Sequence, residues 1–310
     1  MKRIVALLLF TAVLLCFSGC GNGTKAEQNN DGKLSVVVTS FVHYDFVRQI
    51  AGDNADIKML ISPASEAHTY EPTPNDMLLL SVCDMFVYTG AESDVWVDNV
   101  LSGIENKDMS IVSFSEIYHE NFDVRHKEDD GHNHSIDEHF WTNPLFSVKA
   151  AEYICDTLTE KDSKNKEEYK GNFERFKKEL EQISQDLLEI KQTKVRNKVI
   201  VADRFPFYHL SQFLGEEIEF LSPYESCSGV SEPGAGAVAE LSRIVKEENI
   251  PCIFTIEFSN GKIANSVSSS ADILTLHSCH TVSAKEFEEG ITYCDLMRNN
   301  VENLKKALCE

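Results

Sequence analysis

The chain has 310 residues and a formal net charge of −21, with 50 Asp and Glu against 29 Lys and Arg. That balance excludes the basic face a nucleic-acid binder needs; it suits attraction of cations but names no ligand by itself. The length is enough for two lobes of ordinary domain size.

Lys2 and Arg3 precede an apolar run from Ile4 to Phe17. Two basic residues before roughly a dozen apolar ones have the make-up of a secretory signal, and the run is too short for a comfortable bilayer span. It ends in Phe17-Ser18-Gly19-Cys20, which resembles a bacterial lipobox with Phe17 in place of the usual Leu. Residues 1–19 therefore read as a lipoprotein signal peptide and Cys20 as the lipidated N-terminus that anchors the chain to the outer side of a bacterial cell membrane. Losing those 19 residues leaves 291 and takes the charge from −21 to −23. Residues 20–33, polar and rich in Gly and Asn, cannot build a core and read as a flexible tether.

Residues 34–39 (LSVVVT) are short, β-branched and mostly apolar, the make-up of a buried strand. A helix is expected over 42–51, stopping at Gly52, then a strand over 57–61. Pro72 and Pro74 introduce a helix from Asn75 to Leu80, followed by strands at 85–88 and 110–112. The pattern restarts with a strand at 198–202, a helix at 207–214 ending at Gly215, a helix at 235–249 and a strand at 251–256. Strands alternating with helices predict parallel, doubly wound sheets. The fold class expected is α/β, with an N-terminal lobe over 34–160 and a C-terminal lobe over 196–310.

Between the lobes, residues 166–194 are charged and proline-free. Tyr169, Phe173, Phe176, Leu180, Ile183, Leu187 and Ile190 recur at alternating steps of four and three, one stripe of a helix. Such a helix runs roughly 40 Å at 1.5 Å per residue, long enough to act as a stiff link. The stripe is heptad-like, but packing within the chain is favoured over a coiled coil.

Nine cysteines are present. Cys16 leaves with the signal and Cys20 takes lipid, so Cys83, Cys155, Cys227, Cys252, Cys279, Cys294 and Cys309 remain. They form no CxxC pair and read as small buried hydrophobes rather than a disulfide framework. Residues 119–138 interleave His119, His126, His132 and His134 with acidic side chains and lack apolar periodicity, so they read as a metal-attracting surface loop.

Two further histidines sit in stiffer settings. His68 begins HTYEPTP (68–74), a proline-fixed loop after a strand, and His139 lies in DEHFWTNP (137–144). Loops at the carboxyl ends of strands are where open α/β sheets bind ligands. These two loops resemble the signature loops of the zinc and manganese substrate-binding lipoproteins of ABC importers, the cluster A-I or cluster 9 solute-binding family. The likeness extends over the linking helix, the C-terminal lobe and the closing Met297-Arg298-Asn299-Asn300 with Leu304 and Leu308. Glu138 stands where the family usually has Pro.

The resemblance implies two lobes joined by a rigid helix with a metal site in the cleft, and it carries two ligand roles to His68 and His139. The third family ligand follows the first strand of the C-terminal lobe, five residues before a Tyr, which falls on Asp203; His209 is a rival. The fourth is an Asp after a late strand, where this chain has His277. Glu257, Cys279, His280 and Cys227 are further candidates. The His-rich insertion is typical of zinc-type members. The implied function is an extracytoplasmic receptor that passes zinc to an ABC permease and its ATPase, acting as a monomer, with manganese or iron as alternatives. An exported zinc hydrolase is the competing class, but the chain has no HExxH and no GxSxG. Because the imidazoles must be neutral to bind, affinity is expected to fall as pH drops through roughly 6 to 5.

Overall fold

The computed structural model describes residues 32–122, 137–224, 227 and 233–310. The signal segment, Cys20 and most of the tether lie outside them, as do His126, His132 and His134.

Strand β1 (Leu34–Val38) ends in three valines with essentially no exposure, and β3 (Met85–Tyr88) is buried at all four positions. Such unbroken apolar strands are stable only with both faces covered, the condition of a parallel sheet wrapped by helices. With β2 (Ala55–Met59) and β4 (Ser110–Ser113) they make a parallel sheet of order β2-β1-β3-β4, in which Val36 faces Ile57 on one side and Met85 on the other.

The C-terminal half repeats this order. β5 (Lys198–Ile200) pairs with β6 (Glu219–Leu221), and β7 (Cys252–Thr255) with β8 (Asp272–Thr275), all parallel. A parallel bridge between Val201 and Phe254, with Ala202 N–H donating to Phe254 O at 2.7 Å, joins the pairs in the order β6-β5-β7-β8. In each half the chain starts at an inner strand, steps out to one edge and then returns across to the other. A ligand crevice belongs at the carboxyl end of that switch point.

A helix of 28 residues, Lys166–Thr193, links the halves. At 1.5 Å per residue it spans about 42 Å. Tyr169, Phe176, Leu180, Ile183, Leu187 and Ile190 are buried, while Phe173 is only partly so. The stripe packs on three helices of the same chain, Phe41–Ala51, Pro144–Lys161 and Tyr293–Cys309. Phe46 is the meeting point, its ring 5.1 Å from Phe176 and 5.0 Å from Tyr293, both edge-on. One hydrophobic core consequently runs from the first sheet through the linking helix into the second lobe. Buried Asp45 ties the same seam, accepting from Arg48 and from Tyr293 N–H at 2.7 Å, while Arg48 also donates to Ile291 O at 2.8 Å.

Some local expectations needed correction. The segment expected to be loop from residue 119 is helical to its start: Phe114–Asn121 is a helix, held by buried Phe114 and Ile117, and His119 lies in its last turn. Strand β6 was not anticipated, because Glu219-Phe220-Leu221 is too short to show a period. All seven cysteines from Cys83 onward are free thiols, five of them buried. Among the described residues no helix is long and apolar enough to cross a membrane.

Because the linking helix belongs to both lobes, weakening it should weaken the whole. Leu180→Ala is expected to cost about 3 kcal/mol, as large-to-small core truncations do. Urea unfolding should keep a single transition with a lowered midpoint; a split into two transitions would show that the lobes do not share this core.

Candidate metal centre

Pairing continues past β2, with Leu60 and Ile61 N–H donating to Val38 and Thr39 O, and then the chain leaves the sheet. The next turn is pinned to the other lobe: Ala64, with φ of 63°, donates its N–H to Val282 O at 2.8 Å and to Thr281 Oγ1 at 3.0 Å. Farther on, Thr73 and Asp76 form a reciprocal cap at the start of the helix Pro74–Val82, and Tyr70 Oη donates to Asp76 at 2.7 Å. His68 is therefore held between two fixed ends.

His139 is almost fully buried. Asp137 grips it twice, accepting from its backbone N–H and bonding its Nδ1, both at 2.8 Å. With Nδ1 turned to the carboxylate, Nε2 is presented to the cleft, the arrangement that fixes tautomer and orientation in many metal-binding histidines. His209 secures the same loop, its Nε2 donating to Asp137 O at 2.7 Å; it is buried, and it stands outside the cluster of possible metal donors. Trp141 Nε1 donates to Ser278 O at 2.8 Å and so binds this loop to the C-terminal lobe.

From that lobe comes His280. After β8, His277 is fastened by Asn300, which accepts from its N–H at 2.7 Å and donates to its carbonyl at 2.8 Å. The His277 Nδ1 accepts from Cys279 N–H at 2.9 Å, and Cys279 takes a left-handed φ of 63°. The ring that was expected to be the fourth ligand is thus used inside its own turn, and the turn delivers His280 instead.

The rings of His68, His139 and His280 stand 6.2, 5.5 and 5.2 Å apart in pairs, with interplanar angles of 57° to 89°. Glu138 completes the group: one ligand atom from each of the four residues lies within 4.8 Å of all the others. A tetrahedral shell with bonds near 2.1 Å places its donors about 3.4 Å apart, so a small contraction suffices. Among the described residues ten buried side-chain nitrogens and oxygens lack a hydrogen-bond partner. Five of them belong here: both nitrogens of His68, Nε2 of His139, Nε2 of His280 and Oε1 of Glu138. Orphans are rare in folded proteins, and a cluster of lone-pair donors with none is a cation site by its chemistry.

The electrostatics fit. Burial alone would lower His139, but Asp137 outweighs it and holds the imidazole well above its ordinary value. At His68 burial would lower the imidazole, but Cys227 and Glu138 outweigh it and leave a smaller upward shift. His280 goes the other way, driven well below by burial and then by the two neighbouring imidazoles. The Cys227 thiol would rise on burial, but His139 and His68 bring it below the ordinary thiol value.

Other candidates stand apart from the cluster. Asp203 lines, with His68 and His280, a cavity of about 470 Å³, but its carboxylate accepts from Arg204 N–H and from Ser259 Oγ. Glu257 is occupied by the N–H and Oγ of Ser278. Cys279 is fully buried and its thiol pushed well up by that burial. Glu138, which joins the cluster, was not among the residues singled out from sequence; its one signal was that it replaces the proline of the resembled motif.

The family model described as ZnuA, zinc-uptake complex component A periplasmic, matches residues 36–307. The high-affinity zinc uptake system protein ZnuA of Bacillus subtilis is 29% identical over 99% of this chain and 98% of its own length. The zinc-binding lipoprotein AdcA of Streptococcus pneumoniae is 30% identical over 99% of this chain, which spans only 61% of that longer protein. Among solved structures, the metal-dependent lipoprotein YcdH of Bacillus subtilis superposes with a TM-score of 0.75 at 26% identity, covering 89% of this chain and all of that one. The Zn(II)-bound ZnuA-like domain of Streptococcus pneumoniae AdcA gives 0.74 at 23% identity, over 90% of this chain and all of the domain, a likeness of fold.

The grip of Asp137 on His139 can be tested without any metal. In Asp137→Asn the charge that raises the imidazole is gone while burial remains. The His139 pKa, followed by NMR in metal-free protein, should fall from well above the usual 6.5 to below it. An unchanged titration would mean that Asp137 does not set the proton affinity.

Proposed function

The chain belongs to the zinc-uptake complex component A family, and from that premise we propose that it captures one zinc ion outside the cytoplasm and hands it to an ABC importer. The observation that carries this reading is the cluster of four side chains in the cleft, each with an unpartnered atom that can bind a metal. His68, Glu138 and His139 come from the N-terminal lobe and His280 from the C-terminal one, so a bound ion cross-links the halves. Zinc accepts imidazole nitrogen and carboxylate oxygen at about 2.0 to 2.2 Å. With such donors raw affinity favours zinc over manganese or iron(II).

The delivery steps belong to the same proposal. A permease with its ATPase would recognise the metal-bound arrangement of the lobes, and the shared core would limit how far they part. Anchoring through Cys20 rests on the lipobox-like sequence and on the lipoprotein name of the pneumococcal relative. The hydrolase alternative gains no support from the relatives, whose names are those of uptake and zinc-binding proteins.

Competitive titration of chelator-stripped protein should give one zinc per chain, bound more tightly than manganese. His68→Ala combined with His139→Ala should abolish it, and Asp137→Asn should weaken it by about 10- to 100-fold. Failure of the unaltered protein to bind either ion would remove the reading.

The pH dependence follows from the raised imidazoles. A proton held more tightly by His139 and His68 competes with the metal at higher pH than a proton on a free imidazole does. Zinc affinity should therefore begin to fall while the pH is still above 6.5, the ordinary imidazole value, and earlier than unperturbed histidines would make it fall. A curve flat down to about pH 6 would contradict this assignment of charge.

A further inference from the structure

The C-terminal lobe supplies only one of the four clustered donors, and its other expected carboxylates, Asp203 and Glu257, are engaged by their own neighbours. One more side chain of that lobe reaches the site. Cys227 lines the same cavity as His68 and His280. The nitrogens around it are themselves buried and unpartnered: Nε2 of His139, in a residue 1% exposed, and Nε2 of His280, in one 7% exposed. Glu138, by contrast, has one carboxylate oxygen committed to Ser93 N–H at 2.7 Å, leaving only Oε1 towards His68.

Resting on the zinc-receptor reading, we infer that the sulfur of Cys227 is a direct ligand of the bound ion, giving with His68, His139 and His280 a shell of three nitrogens and one sulfur. Glu138, although grouped with the three histidines, then stays outside the shell, its Oε1 3.4 Å from His68 Nδ1. On binding, the thiol gives its proton to solvent and the thiolate bonds the metal. The shell has a consequence for selectivity. Thiolate is a soft donor that favours zinc, whereas manganese, magnesium and calcium favour oxygen. Two donors from each lobe also make the ion a more even cross-link than three from one lobe and one from the other. The remaining cysteines do not compete for this role: none of Cys83, Cys155, Cys252, Cys279, Cys294 or Cys309 lines the cavity.

Cobalt(II) is the probe, because a thiolate ligand gives it an intense near-ultraviolet charge-transfer band that nitrogen and oxygen ligands do not. The cobalt-loaded protein should show the band, Cys309→Ser should keep it, and Cys227→Ser should lose it while still binding cobalt. A band absent from the unaltered protein at full cobalt occupancy, or persisting in Cys227→Ser, overturns the sulfur ligand and leaves the receptor reading intact. Failure to bind cobalt or zinc at all overturns both. X-ray absorption at the zinc edge makes the test independent of any substitution: one sulfur at about 2.3 Å supports the proposal, and a shell of nitrogen and oxygen alone contradicts it.

Discussion

A buried polar atom without a partner costs about 1 to 3 kcal/mol, and a stable fold can carry few of them. Here such atoms are gathered in one place, on His68, Glu138, His139 and His280. The surrounding structure limits how far they relieve one another, although His68 Nδ1 and Glu138 Oε1 approach to 3.4 Å. Asp137 occupies Nδ1 of His139, Ser93 takes one oxygen of Glu138, and the turn through Cys279 aims His280 rather than His277 into the cleft. Their unmet bonds are the free energy that an ion recovers when it enters.

That convergence needs the lobes to be registered against each other, and the register is set by ordinary packing. The linking helix gives both sheets a common wall, and Phe46 interlocks with Phe176 and Tyr293 across it. Close to the site, the bond from Trp141 to Ser278 and the seat of Ala64 against Val282 fix the two sets of loops. Arg204 and Glu66, both lining the cavity, add a partly exposed ion pair 3.4 Å long. Exposed pairs of this kind contribute little to stability, so the buried bonds and the core carry the register.

Much of this was legible in the residues. Continuous β-branched runs marked β1 and the strands that begin each half, and alternating steps of four and three marked the linking helix. HTYEPTP and DEHFWTNP located His68 and His139 because prolines and short acidic turns announce fixed loops. What sequence could not decide was which residue of His277-Ser278-Cys279-His280 points inward. That depends on a single left-handed φ at Cys279, an unusual conformation for a residue with a side chain. Asp203 looked like a donor by position, but its role depends on Ser259, which lies 56 residues away in sequence and meets it only through folding. Glu138 was hidden by the same limit: its reach to His68 is a matter of tertiary geometry.

The central claim is that imidazoles from both lobes converge on one shared ion. Anomalous diffraction at the zinc absorption edge, from crystals of the zinc-loaded protein, tests it most directly. A single peak bonded to His68, His139 and His280 is the predicted result. A peak bound instead by Asp203 and His277, or three histidines turned away from a common centre, would contradict it.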